Sequence, residues 1–136
     1  MSEGFLKEFF SQNNMDISVT SGGIASNARD GMLISLDAKL VMKEMGITLS
    51  EEAMSIDLKK RPYLLEEADL ILTLTEKHKQ EVLEYNHSTE NKVLTLREFA
   101  GERGDIEDPS MKGVEGFRKA RDEIHHCIVK GLKRFE

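Results

Sequence analysis

A single α/β domain built on a parallel sheet covered on both faces is the fold class that this sequence predicts, on three observations. Short runs of strand-forming residues, Ile17–Ser21, Ala68–Leu74 and Lys92–Leu96, alternate along the chain with stretches of helical apolar spacing. The middle run is almost unbroken in its apolar character, as a strand buried on both faces requires. The 136 residues leave room for one core, and they contain no internal repeat, low-complexity tract or linker.

Each element follows from local chemistry. Phe5, Leu6, Phe9 and Phe10 recur at helical spacing behind Ser2, so a first helix is expected from Ser2 as N-cap to Gln12, with Asn13 and Asn14 as its stop. Ile17–Ser21 alternates and is β-branched, and Gly22-Gly23 ends it, which gives a strand leading into a loop. Leu33, Leu36, Leu40, Val41 and Met45 form an apolar stripe between Gly31 and Gly46, so a second helix is expected there, stopped by Gly46. A helical turn is expected at Ser50-Glu51-Glu52. Pro62 suits the first turn of a short helix through Glu67. The strand Ala68–Leu74 comes next, then a helix capped by Thr75 and running to about Glu84, a polar loop over Tyr85–Thr89, and a strand at Lys92–Leu96. A helical turn at Glu98–Ala100 leads to an acidic loop. The last helix carries Phe117, Ala120, Ile124, Cys127, Ile128, Gly131 and Leu132 on one face, so it packs along its whole length.

Composition narrows the function classes. There are 25 acidic and 19 basic side chains for a net charge of -6, so the basic footprint of a general nucleic-acid binder is missing and an anionic membrane would repel the chain. No secretory or bilayer-spanning apolar run is present, which makes the cytoplasm the default location. The single cysteine, Cys127, rules out an internal disulfide framework.

Ligands of parallel sheets bind beyond the carboxyl ends of the strands, so the loops after Ser21 and Leu74 and the loop Asp105–Pro109 are the candidate site. In the last of these, Pro109 drives Asp108 out of the helical region and holds its carboxyl on an extended turn at the mouth of a helix. Two readings fit: a solvated turn that starts a helix, or a proton donor at an anion site. His78, His87, His125 and His126 fall in no His-x-x-x-His or Cys-x-x-Cys frame, so no metal is expected, and no nucleotide-binding glycine motif occurs. A phosphate-cradling nucleophile loop needs a Cys followed at six residues by Arg. After Cys127 that position is Lys133, and Arg134 comes one residue late. Cys127 also lies on the apolar face of the last helix, where a thiol packs as a small hydrophobe.

The run Met1–Phe5, the Ser21-Gly22-Gly23 turn, Glu67–Thr75, Val93–Gly101 and Gly104–Pro109, in that order over the whole chain, resembles the low-molecular-weight protein tyrosine phosphatases. The likeness is greatest to the bacterial branch that includes protein-arginine phosphatases. It implies a three-layer α/β/α fold with a four-stranded parallel sheet, and a Cys-x-x-x-x-x-Arg phosphate loop after the first, central strand. In the family that loop is followed at once by the counterpart of Met1-Ser2-Glu3-Gly4. The resemblance therefore implies one domain over residues 1–136, incomplete at its N-terminus and lacking its first strand, nucleophile and anion cradle.

It further implies Asp108 as general acid, Ser21 as the serine that steadies the phosphate loop, and no cofactor. Substrates of a full-length form would be a phosphorylated protein or a small phosphoester. Ser110 and Met111 stand where the family usually has aromatic residues, and Glu52 and Ser55 where it often has a His and a basic residue. The relay cysteines of the related arsenate reductases are lacking near Leu74–Leu83. Two functional expectations follow: an incomplete reading frame of a working phosphatase, inactive as given, or a catalytically dead relic that acts as a binding or regulatory module.

Overall fold

A computed structural model describes residues 1–13, 17–24, 36–49, 56–107, 109 and 112–134. In chain order the described elements are α1 (Ser2–Gln12), α2 (Leu36–Glu44), α3 (Pro62–Glu67), β1 (Ile71–Thr73), α4 (Glu76–Tyr85), β2 (Val93–Thr95), α5 (Leu96–Phe99) and α6 (Gly113–Arg134). Three-residue 3-10 turns precede α3 at Leu58–Lys60 and follow α4 at His87–Thr89.

β1 and β2 are parallel neighbours in the register Ile71–Val93, Leu72–Leu94 and Thr73–Thr95. Successive side chains of a strand point to opposite faces, and here the two faces meet different cores. Val93 is buried with Ile24, Leu65 and Val82, with Ile71 packed against them. Leu72 and Leu94 pack against the larger cluster of Phe5, Met42, Leu96, Phe99, Ile106, Ala120, Ile124, Cys127 and Ile128. α3 and α4 therefore cover one face while α1, α2, α5 and α6 cover the other. This is the doubly covered parallel arrangement that the alternation of strands and helices predicts.

α6 is the spine of the larger layer. Ala120, Ile124, Cys127, Ile128 and Gly131 are buried at helical spacing, as expected from the apolar face. At Gly131 a Cβ atom would stand 2.2 Å from the Phe99 ring, so the missing side chain is what lets α5 lie against α6. α2 is tied to the same helix by charge: Arg121 donates to Val41 O (3.0 Å) and Glu44 (2.7 Å), and Arg118 to Glu44 (2.7 Å).

Several expectations are corrected. α1 spans the expected Ser2–Gln12, but its N-cap is Met1 rather than Ser2: Phe5 N–H donates to Met1 O (3.2 Å), and no side-chain cap bond is made. Ile17–Ser21 forms no strand. A strand needs a neighbour along its length, and among the described residues the one bridge here comes two residues past the segment, where Gly23 pairs in parallel with Asp57. The other two strands are shorter than their apolar runs, because Leu96 already opens α5 and Leu70 is largely exposed.

The α2 stripe holds only in part. Val41 is buried as expected, together with Ala38 and Met42, whereas Leu36 is 79% exposed and Leu40 and Met45 are also exposed; the buried face is the one that carries Met42 into the larger core, with Glu44 beside it reaching Arg118 and Arg121 of α6. Gly46 does stop the helix, at φ 78°, with Ile47 N–H donating back to Met42 O (3.0 Å). The polar loop at Tyr85–Thr89 is more regular than expected: α4 runs through Tyr85 and Asn86 caps the 3-10 turn by accepting from Ser88 N–H (3.1 Å). Leu33, Asn14 and the turn at Ser50-Glu51-Glu52 lie outside the described residues.

Candidate active site

The carboxyl end of β1 is a corner made of Leu74, Thr75 and Glu76. Thr75 leaves the strand in extended conformation and its hydroxyl accepts from His78 N–H (3.1 Å), which starts α4. The acidic loop docks on this corner. Ile106 N–H donates to Leu74 O (2.9 Å), and the Asp105 carboxylate accepts from Glu76 N–H (2.8 Å). Ile106 is 0% exposed, so its side chain anchors the loop in the larger core while Asp105 and Glu107 stay at the surface. Gly101 and Gly104, at φ 77° and 111°, let the chain turn into this dock from α5. On the other side Lys112 pairs with Glu107 and its N–H donates to Pro109 O (3.1 Å), which leads the loop into α6.

Asp108 itself, with Ser110 and Met111, lies outside the described residues, as do Glu52 and Ser55. Both neighbours of Asp108 are described. Glu107 is exposed and Pro109 half-buried, beside a small depression of about 30 Å³ that Gly116 and Ala120 also line. Ser21 is exposed, and its backbone N–H donates to the Glu3 carboxylate in the first turn of α1 (3.0 Å). Two residues on, Gly23 N–H donates to Ile56 O (2.8 Å) and Gly23 O accepts from Leu58 N–H (2.9 Å). A Cβ at Gly22 would stand 2.8 Å from the Leu58 side chain. A larger groove of about 210 Å³ between α1 and α6 is lined by Phe5, Phe9, Met45, His125 and Ile128, among others, and shares no residue with the acidic loop.

Cys127 is 0% exposed in α6, and burial pushes its thiol up from the ordinary range. The nearest cation is Arg97, whose Nη1 stands 3.5 Å from Sγ. That guanidinium is itself engaged by Glu102 (3.0 Å) and Glu123 (3.5 Å), and Glu102 also receives His126 and Lys130, both at 2.8 Å. Lys130, His126 and Arg97 together pull the Glu102 carboxyl down to about 2. This network is the one feature near a thiol that the linear order of the residues does not announce, because its members are contributed by α5, the turn after it and α6. It gives the sulfur a structural setting, without the solvent access that a nucleophile needs. Among the described residues no three His, Cys, Asp or Glu side chains converge as a metal site would require.

Fold and corner define a three-layer α/β protein whose acidic loop is docked beyond the carboxyl end of a parallel strand. A family model for low molecular weight phosphotyrosine protein phosphatases matches residues 1–135, and the chain belongs to that family. A protein-arginine-phosphatase of Geobacillus stearothermophilus is 35% identical over 121 residues, spanning 88% of this chain and 78% of the relative. The low molecular weight protein-tyrosine-phosphatase PtpB of Staphylococcus haemolyticus is 28% identical over 119 residues, 85% of this chain and 78% of the relative. Among solved structures, the low molecular weight protein tyrosine phosphatase of T. tengcongensis aligns with a TM-score of 0.86 at 27% identity, over 98% of this chain and 88% of that one. The arginine phosphatase structure from Geobacillus stearothermophilus aligns with a TM-score of 0.84 at 30% identity, over 98% of this chain and 82% of that one.

Proposed function

We propose that these residues are the frame and proton-donor loop of a protein phosphatase acting on phosphotyrosine or phosphoarginine. The observation that supports the reading is the docking of Asp105 and Ile106, three and two positions before Asp108 in the sequence, on Glu76 and Leu74 at the carboxyl end of β1. In the proposed reaction a thiolate attacks phosphorus and the bond to the leaving oxygen or nitrogen breaks. Asp108 gives its proton to that leaving atom. Asp108, now a carboxylate, then takes a proton from the water that attacks the phosphocysteine, and the P–S bond breaks to release inorganic phosphate and the thiolate. Ser21 supports the anion loop in this reading. The relatives named for arginine and for tyrosine phosphatase activity support the substrate class. No described helix is long and apolar enough to cross a membrane, and we assign the protein to the cytoplasm, with phosphorylated proteins or small phosphoesters as its partners.

Cys127 has no part in this chemistry, because its sulfur is enclosed in α6 and its burial disfavours the thiolate. The 136-residue chain is therefore inactive by itself in this reading. That same buried thiol favours a second reading, a phosphatase-like module that binds without turnover. Both are tested by assaying phosphotyrosine and phosphoarginine peptides with the chain as given and with the chain extended by the in-frame codons before Met1. Turnover by the extended form alone supports the phosphatase, and Asp108→Asn should then lower kcat by about 10²- to 10⁴-fold and abolish the basic limb of its pH profile. No turnover by either form, with retained peptide binding, supports the module. An Asp108→Asn variant with unaltered kcat would refute the assigned role.

A further inference from the structure

We propose that Asp105 is a positioning residue that locks the proton-donor loop onto the β1–α4 corner; this rests on the reading of Asp108 as the acid. Asp105 is exposed, in a chain with 25 acidic residues, and by composition alone it would pass for a solvated turn residue. Its carboxylate is nonetheless committed to a partner 29 residues away, the N–H of Glu76 at 2.8 Å. Glu76 is the first residue of α4, and the first N–H groups of a helix have no acceptor within it. Thr75 spends its hydroxyl on His78 N–H, so the Glu76 donor is met from outside, by an anion at the positive end of the helix.

The next residue repeats the connection. Ile106 N–H reaches Leu74 O at 2.9 Å, and the Ile106 side chain is wholly buried. Two consecutive residues thus bind the two ends of a three-residue corner, and Asp108 follows only three positions after Asp105. Downstream, Glu107 pairs with Lys112 across the loop. A general acid must lie within roughly 2.6–3.2 Å of the atom that it protonates, and a displacement of about 1 Å costs on the order of 100-fold in rate. A loop fastened only at its distant ends would spread the carboxyl over more positions than that. Asp105 touches no reacting atom; it acts by holding the chain at residues 105–107, directly before Asp108.

Two measurements decide the matter. In hydrogen exchange on the 136-residue chain, Asp105→Ala should speed exchange of the Glu76 and Ile106 amides by on the order of tenfold or more, while Ile124 and Ile128 in α6 keep their protection. Asp105→Asn retains an acceptor oxygen and should restore much of the protection; it also serves if the alanine variant fails to fold. Unchanged exchange at Glu76 and Ile106 in Asp105→Ala would overturn the lock. In whichever form of the protein cleaves phosphate esters, Asp105→Ala should lower kcat more than it alters KM, and the loss should be about tenfold greater for a poor aryl leaving group than for p-nitrophenyl phosphate, with partial recovery in Asp105→Asn. Equal losses for both leaving groups would make Asp105 merely structural and overturn the positioning role. If no form cleaves phosphate esters, the phosphatase reading fails, and the exchange measurement still decides whether Asp105 holds the loop.

Discussion

Ile17–Ser21 and Ala68–Leu74 both carry side chains that favour strands, yet only the second contains one. β1 has β2 beside it for three paired residues, and its two faces are covered by different helices. Among the described residues the earlier segment has no paired strand, only a single bridge two residues past its end at Gly23, and Ile17 is 48% exposed. Strand propensity describes how a side chain suits a half-buried, paired surface, so a segment without the pairing has little to gain from extended geometry. The site inherits this asymmetry. Its Asp105 side is braced by a strand end, a capped helix and a buried isoleucine, whereas Ser21 is tied through its own amide to one carboxylate at the surface.

Unequal bracing should translate into unequal stability. The largest effect is expected from Ile124→Ala in α6, where the side chain is 1% exposed in the larger core; urea unfolding should register a loss of about 2–5 kcal/mol. Ile17→Ala, the matching truncation in the unpaired segment, should cost no more than about 0.5 kcal/mol. Similar losses at the two sites would break the comparison.

A smaller effect tests the junction between β2 and α5. Thr95 is buried and completes a reciprocal cap: its hydroxyl accepts from Glu98 N–H (3.1 Å) while the Glu98 carboxylate accepts from Thr95 N–H (2.9 Å). Thr95→Ala should cost about 1–2 kcal/mol and Thr95→Ser much less, both read from the shift in unfolding midpoint at constant slope.

Acid titration sharpens the contrast further, because the 17–24 segment carries no charged side chain with which to build the kind of network that organises α6. Arg118, helped by Arg121, holds the Glu44 carboxyl at about 2, and Lys130, with His126 and Arg97, does the same for Glu102. Both folded-state values lie below the ordinary 4.5, so their contribution is present above that pH and is lost as pH falls through about 2. Glu44→Gln and Glu102→Gln should each flatten the acid limb of a stability–pH curve between about 4.5 and 2. An unaltered limb would mean that the pairs are too solvated to matter.

The helices were largely legible because their signals are local. Gly46 stops α2, Pro62 starts α3, Thr75 caps α4, and the buried positions of α6 follow its apolar spacing. Which face of α2 is buried was only partly legible, since Met42 meets a core to which α6 contributes, and Glu44 and Val41 reach α6 arginines 74 and 80 residues further along the chain. The same holds for the site. Pro109 and the glycines announce a loop, but the hold of Asp105 on Glu76 joins residues that no short motif connects, so the residue that fixes the loop could not be told from a solvated acid. Cys127 was readable as core from its helical face; its contact with Arg97 was not.

The central claim is that this chain supplies frame and proton donor while its own sulfur is packing. It is tested most directly by incubating the 136-residue chain with p-nitrophenyl phosphate under turnover conditions, then measuring nitrophenolate and mapping phosphate on peptides. The account predicts no nitrophenolate above buffer and an unphosphorylated Cys127. Nitrophenolate release with a phosphoryl group trapped on Cys127 would contradict it.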